Sequence, residues 1–240
     1  MIAHPGPTAM TNRRSRVLTA AFLIAVAGAA WCRTIEDAHG MSGMLDGFVN
    51  AGRTMPWNIG PVGFAGTWTV MMAAMMLPGV IPIVMAANDL RYPSSGVVWA
   101  LGYLGVWVST GAIAFGALIA LNGMSQPSAW LQRAGGALFV LAGVYQFTGA
   151  KRRLLQRHDP GTGVSYGLRC VGASWALMSV LLVVGVMNIA WMAAVSVVCL
   201  GEKASTRRTA LATVLGAVLI ACGLVVLIEP RTLDVIAGTG

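Results

Sequence analysis

The sequence predicts an all-α fold: a polytopic helical membrane bundle of seven transmembrane helices, with six as the alternative count. Three observations carry this. Of 240 residues, 57% are hydrophobic and only 10% are charged, and the mean hydropathy is +0.74, all far outside soluble composition. Long uninterrupted apolar runs recur, and the strand-type alternation that an outer-membrane barrel requires is missing. The net charge of +8 sits in short clusters beside the apolar runs. There it sets topology and meets anionic lipid; nucleic acid is not an expected partner.

The elements follow in order. Residues 1–16 form a polar cytoplasmic tail ending in Arg13-Arg14-Ser15-Arg16, and 17–32 is the first span. No small-x-small cleavage site follows it, because Trp31-Cys32-Arg33 stands in that place, so the span is expected to be retained. Thr34 to Gly60 is the longest polar segment and is expected outside the cytoplasm. The second span, 61–87, contains Pro78 and Pro82, which remove backbone donors and should kink it just past a run of methionines.

A turn around Arg91-Tyr92-Pro93 leads to the third span, 97–121, where Gly102, Gly105, Gly111 and Gly116 should allow close helix contact. Trp99, Tyr103 and Trp107 recur every four residues and are expected to pack against a neighbouring helix or lipid. The fourth span, 130–150, runs into Lys151-Arg152-Arg153 and Arg157, a cytoplasmic cluster suited to anionic lipid head groups. Leu168 to Leu200 is too long for one straight crossing. A hairpin turning near Gly185-Val186-Met187-Asn188 gives spans 168–185 and 187–200 and returns Lys203, Arg207 and Arg208 to the basic side. One long tilted helix is the alternative that yields six spans. The last span is 209–228, followed by a short tail, 229–240. The whole of 17–228 is expected to form a single transmembrane domain.

The chemistry-bearing residues are sulfur ligands. Met71/Met75 and Met72/Met76 are spaced i, i+4, which stacks four thioethers on adjacent strips of one helix side. Two readings stay open: gap-filling core packing, or a Cu(I) site, since thioethers and thiolates are the soft ligands that ion favours. His39, Met41 and Met44 form a second soft cluster in the polar segment, with an ordinary loop as the plain alternative. Cys32, Cys170, Cys199 and Cys222 show no CxxC spacing, so neither a disulfide framework nor a zinc ribbon is supported, and buried thiols are the default.

Several motifs recur together in order: Trp68-x-x-Met71-x-x-Ala74-Met75-Met76-x-Pro78, Gly102-Tyr103-Leu104-x-x-Trp107, Trp175-Ala176-Leu177-Met178, Gly185-Val186-Met187-Asn188-x-x-Trp191-Met192, and Glu202-Lys203. In this the chain resembles the predicted metal-binding integral membrane proteins of bacteria grouped as domain of unknown function 2182. The resemblance covers roughly Trp68 to Lys203. It implies a helical bundle in the bacterial cytoplasmic (inner) membrane and a copper-related role. The family pattern carries a cysteine pair in the basic loop and another just before Trp-Ala-Leu-Met. Here the basic loop has none, and Ala173-Ser174 precede Trp175, leaving Cys170 alone of that group. A site retained under that pattern rests on thioethers, which favours Cu(I) over zinc.

No Ser/His/Asp set, HExxH motif, phosphate loop or paired intramembrane carboxylates occur, so an enzyme is not expected. Ionisable groups are almost absent from the spans, which argues against a proton-coupled transporter. Two functions survive. One is soft-metal handling through Met71, Met75, Met76, Met187 and Met192, with Cys170 assisting and Cu(I) as the metal. The other is a non-catalytic accessory subunit whose same faces pack against a membrane partner.

Overall fold

The computed structural model describes residues 7–40, 60–87, 95–122, 129–156, 161–186, 188–205 and 208–237. All regular structure among them is helical: α1 (Pro7–Gly40), α2 (Gly60–Met76), a 3₁₀ turn (Pro78–Val80), α3 (Ile81–Ala87), α4 (Ser95–Asn122), α5 (Ala129–Phe147), α6 (Gly149–Gln156), α7 (Gly163–Val184), α8 (Ile189–Ala204), α9 (Arg208–Ile228) and α10 (Thr232–Ala237).

Four of these helices are long and apolar enough to cross a membrane: α1 from Val17, the Gly96–Ala117 part of α4, α7 and α9. The bent pair of α2 and the segment Pro78–Val84 makes a fifth if counted as one span. The seven expected spans are therefore not all matched. The difference lies in α5 and α8. Helix α8 has 16 residues and rises about 24 Å against a hydrocarbon core of about 30 Å, while α5 carries Gln132, Arg133 and Gln146.

The expected kink is present. The α2 helix stops at Met76, the chain takes one 3₁₀ turn over Pro78–Val80, and the two halves meet at 44°. Two backbone bonds bridge the break, Leu77 N–H to Ala73 O at 3.2 Å and Val80 N–H to Leu77 O at 3.1 Å. The 168–200 stretch also breaks where expected. Gly185 ends α7 with φ 107°, a conformation open to glycine, and the Asn188 side chain caps α8 by accepting from Trp191 N–H at 3.2 Å.

Two expected boundaries move. The first helix continues through Gly40, so 34–40 is helix rather than loop, and Arg33 pairs there with Glu36 and Asp37 on its surface. The C-terminal tail is not simply polar: α10 folds back on the α7–α8 turn. Its carbonyls at Ile236 and Ala237 accept from Trp191 Nε1 at 2.9 Å and Asn188 Nδ2 at 2.7 Å.

Small residues set the packing. Helices α5 and α9 run antiparallel so closely that a Cβ on Gly143 would lie 2.7 Å from Gly216 O, and one on Gly223 would lie 2.7 Å from Gly136 O. Helix α7 meets α4 at Gly163, where a Cβ would fall 1.8 Å from Trp99 O. Of the four glycines expected to admit neighbours on α4, Gly102 faces Val164 and Gly111 faces Trp68, while Gly105 and Gly116 face open space. Trp99, Tyr103 and Trp107 are buried; Tyr103 stacks on Trp99 and meets Tyr166 at a tilt, and Trp107 O accepts from Trp68 Nε1 at 3.1 Å.

Candidate functional site

The methionines of α2 form part of the core. Met71, Met72, Met75 and Met76 are each no more than 2% exposed, and they share one buried cluster with Met192 of α8, Cys170 of α7 and Cys199 of α8. All four α2 methionines are covered because α2 has neighbours on several sides: α1 and α4 flank it and α8 approaches its C-terminal part. Met187 lies outside the described residues, as do Met41 and Met44; the helix that includes His39 ends at Gly40.

The kink brings the methionine helix to a cavity whose wall mixes apolar side chains with charged groups and thiols. A cavity of about 140 Å³ is walled by Cys170 and Arg169 of α7, Cys199, Glu202 and Lys203 of α8, and Arg208 of α9. Ile83, just past the kink, lines it too, and Lys203 Nζ lies 3.0 Å from where a Cβ on Gly79 would stand. The four cationic or anionic side chains and both thiols therefore share one end of the bundle. This also fixes the course of α7 and α8: Cys170 is near the start of α7 and Cys199 near the end of α8, so the two helices form the arms of a hairpin.

A chain of polar contacts links the thiol to the cation. Lys203 Nζ donates to Tyr103 Oη at 3.3 Å, and Tyr103 Oη is 3.3 Å from Cys170 Sγ. The ammonium also lies 5.7 Å from the centre of the Tyr103 ring, within cation–π range. Beside the cavity is a fully enclosed ion pair. Lys151 Nζ donates to Glu202 Oε1 at 2.7 Å and also to Gln146 Oε1, with Lys151 0% and Glu202 2% exposed. Lys151 was grouped by sequence with the lipid-facing cations. It is instead turned inward, because α6 begins directly after α5 and faces its third residue to Glu202. Arg152 and Arg153 are exposed, and Arg157 lies outside the described residues.

Among the described residues no group of three His, Cys, Asp or Glu side chains stands ready to hold a metal. The sulfur atoms remain as the soft donors: thioethers along α2 and on α8, and two buried thiols at the cavity. Cys199 was read from sequence only as a buried thiol. Its approach to the Cys170 cavity depends on the hairpin returning it, and no local spacing announces that.

The pattern of the copper chaperone family PpoB2 matches residues 65–226, more than half of the chain. The chain belongs to the PpoB2 copper chaperone family. The match begins just before the α2 methionines and ends within α9, so it takes in the cavity, the Lys151–Glu202 pair and the α5–α9 contact. Neither a curated protein nor a solved structure matches the chain.

Proposed function

We propose that this member of the PpoB2 family is a non-enzymatic, multi-pass protein of the bacterial inner membrane that handles Cu(I) on sulfur side chains. The ligands of this reading are Met71, Met75 and Met76 of α2 and Met192 of α8, with Met187, which falls between α7 and α8 in sequence, and Cys170 at the cavity. The observation that carries it is the family match to a copper chaperone across a segment whose methionines are buried together in one cluster with Cys170. Thioethers bind Cu(I) and hold zinc poorly, which agrees with a segment short of carboxylate and imidazole. On this reading α5 and α8 complete a seven-pass bundle, and Arg152 and Arg153 meet anionic lipid at the cytoplasmic face.

The test is copper content by atomic absorption on detergent-purified protein loaded with Cu(I) under reducing conditions. The parent is expected to retain copper. Met75→Leu/Met76→Leu is expected to retain less while staying folded, since volume-conserving apolar swaps usually cost less than about 1.5 kcal/mol. Equal copper in parent and double variant would leave these methionines a packing role and favour an accessory subunit within a membrane complex.

A further inference from the structure

Resting on the copper-handling reading, we propose that Cys170 and Cys199 form a two-coordinate Cu(I) site at the charged end of the bundle, with Lys203 as its counter-charge and Tyr103 as the group that joins the two. The site lies at the end of the methionine helix and is distinct from the thioethers themselves.

Three features of the structure meet at this point. First, two thiols from opposite arms of the α7–α8 hairpin wall the same cavity, and both are buried, at 6% and 3% exposure. A cavity of about 140 Å³ has room for one ion. With no third His, Cys, Asp or Glu ligand grouped with them among the described residues, a tetrahedral zinc site is not offered. Two thiolates in line are sufficient for Cu(I), whose filled d shell imposes no higher coordination number.

Second, the charges fit the product. Cu(I) binding displaces both thiol protons, which leave for solvent: one Cu⁺ and two neutral thiols give a bis-thiolate complex of charge −1 and two H⁺. The cavity wall is net positive, with Arg169, Lys203 and Arg208 against one carboxylate, Glu202, whose charge Lys151 already matches. Lys203 is joined to Cys170 through the Tyr103 hydroxyl, with 3.3 Å on each side.

Third, the methionines pose the opposite problem. Cu⁺ among neutral thioethers keeps its full positive charge in an apolar core, which is costly. The α2 methionines end at the kink, and the residues directly after it, Gly79 and Ile83, touch Lys203 and the cavity. Copper leaving the thioethers past the kink therefore meets a site of higher affinity. The methionines act as a path, and the thiol pair as the place where the ion rests.

Alkylation of the full-length protein in detergent tests this without any substitution. The protein is treated with N-ethylmaleimide with and without Cu(I), and each cysteine is followed by peptide mass spectrometry. Cu(I) is expected to protect Cys170 and Cys199 and to leave Cys32 and Cys222 reactive. X-ray absorption on the same sample should show a two-coordinate sulfur environment, lost in Cys170→Ser/Cys199→Ser and kept in Met75→Leu/Met76→Leu. Lys203→Gln should weaken Cu(I) affinity about tenfold, as loss of one partly buried counter-charge predicts, with Lys203→Arg restoring most of it. An X-ray absorption spectrum without two-coordinate sulfur, or one unchanged in Cys170→Ser/Cys199→Ser, overturns the thiol site. If the methionine double variant still lowers the copper content in that case, the broader copper reading stands and only this site falls. If the parent holds no copper, both fall.

Discussion

At the scale of single residues, the least expected feature is the Lys151–Glu202 pair, sealed from solvent at a contact of 2.7 Å. Taking two charges out of water is expensive, and only their mutual contact with Gln146 alongside offsets it. Lys151→Met alone strands a buried carboxylate and should cost about 3–5 kcal/mol, whereas Lys151→Met/Glu202→Leu should recover much of that loss. Thermal aggregation of the purified variants in detergent gives the cycle directly; a double variant no better than the single would show that the pair does not act as a unit. Nothing in the sequence distinguishes Lys151 from Arg152 and Arg153. The partner lies 51 positions away, so its inward turn follows from tertiary packing alone. The α2 methionines were legible because their partners stand four positions apart on one helix; the thiol pair was not, for the same reason that Lys151 was not.

At the scale of elements, glycine contacts decide how closely helices approach. A methyl group on Gly163 would overlap Trp99 O, which belongs to backbone and has nowhere to yield. Gly163→Ala should therefore destabilise by about 1–3 kcal/mol or more, as overpacking does, whereas Gly105→Ala, facing open space, should be neutral or slightly stabilising. Melting temperatures of the two variants check this, and equal values would contradict the α4–α7 packing. Composition made each glycine visible, but which of them touch depends on helix rotation, and sequence spacing sets that only loosely. The Pro78 break and the Gly185 turn were legible, since one follows from a missing N–H and the other from a length that exceeds a bilayer. The extension of α1 to Gly40 was not: Glu36 and Asp37 read as loop polarity, yet at i+3 and i+4 from Arg33 they are equally a helix surface.

For the whole molecule, the gathering of Lys151, Arg169, Lys203 and Arg208 at one end agrees with the excess of cations that cytoplasmic faces carry. Arg153→Cys, placed on a background with the native cysteines replaced, should resist a membrane-impermeant thiol reagent in intact cells and react after lysis. Rapid labelling of intact cells would reverse the orientation. The fold class was readable from hydropathy throughout. The number of crossings was less so, because α8 has only 16 residues and α5 carries Gln132, Arg133 and Gln146, so neither has the length and apolarity of the other spans.

The contact of α10 with the α7–α8 turn has a consequence for biogenesis. Asn188 and Trp191 wait for acceptors 49 and 45 positions further along the chain. Synthesis proceeds from the N-terminus, so α10 is the last element to reach the bundle, and until it docks the α7–α8 turn carries an unmet amide and indole. A chain truncated before Thr232 would thus keep every residue that lines the cavity but lack the latch, and membrane proteases should remove it faster than the full chain.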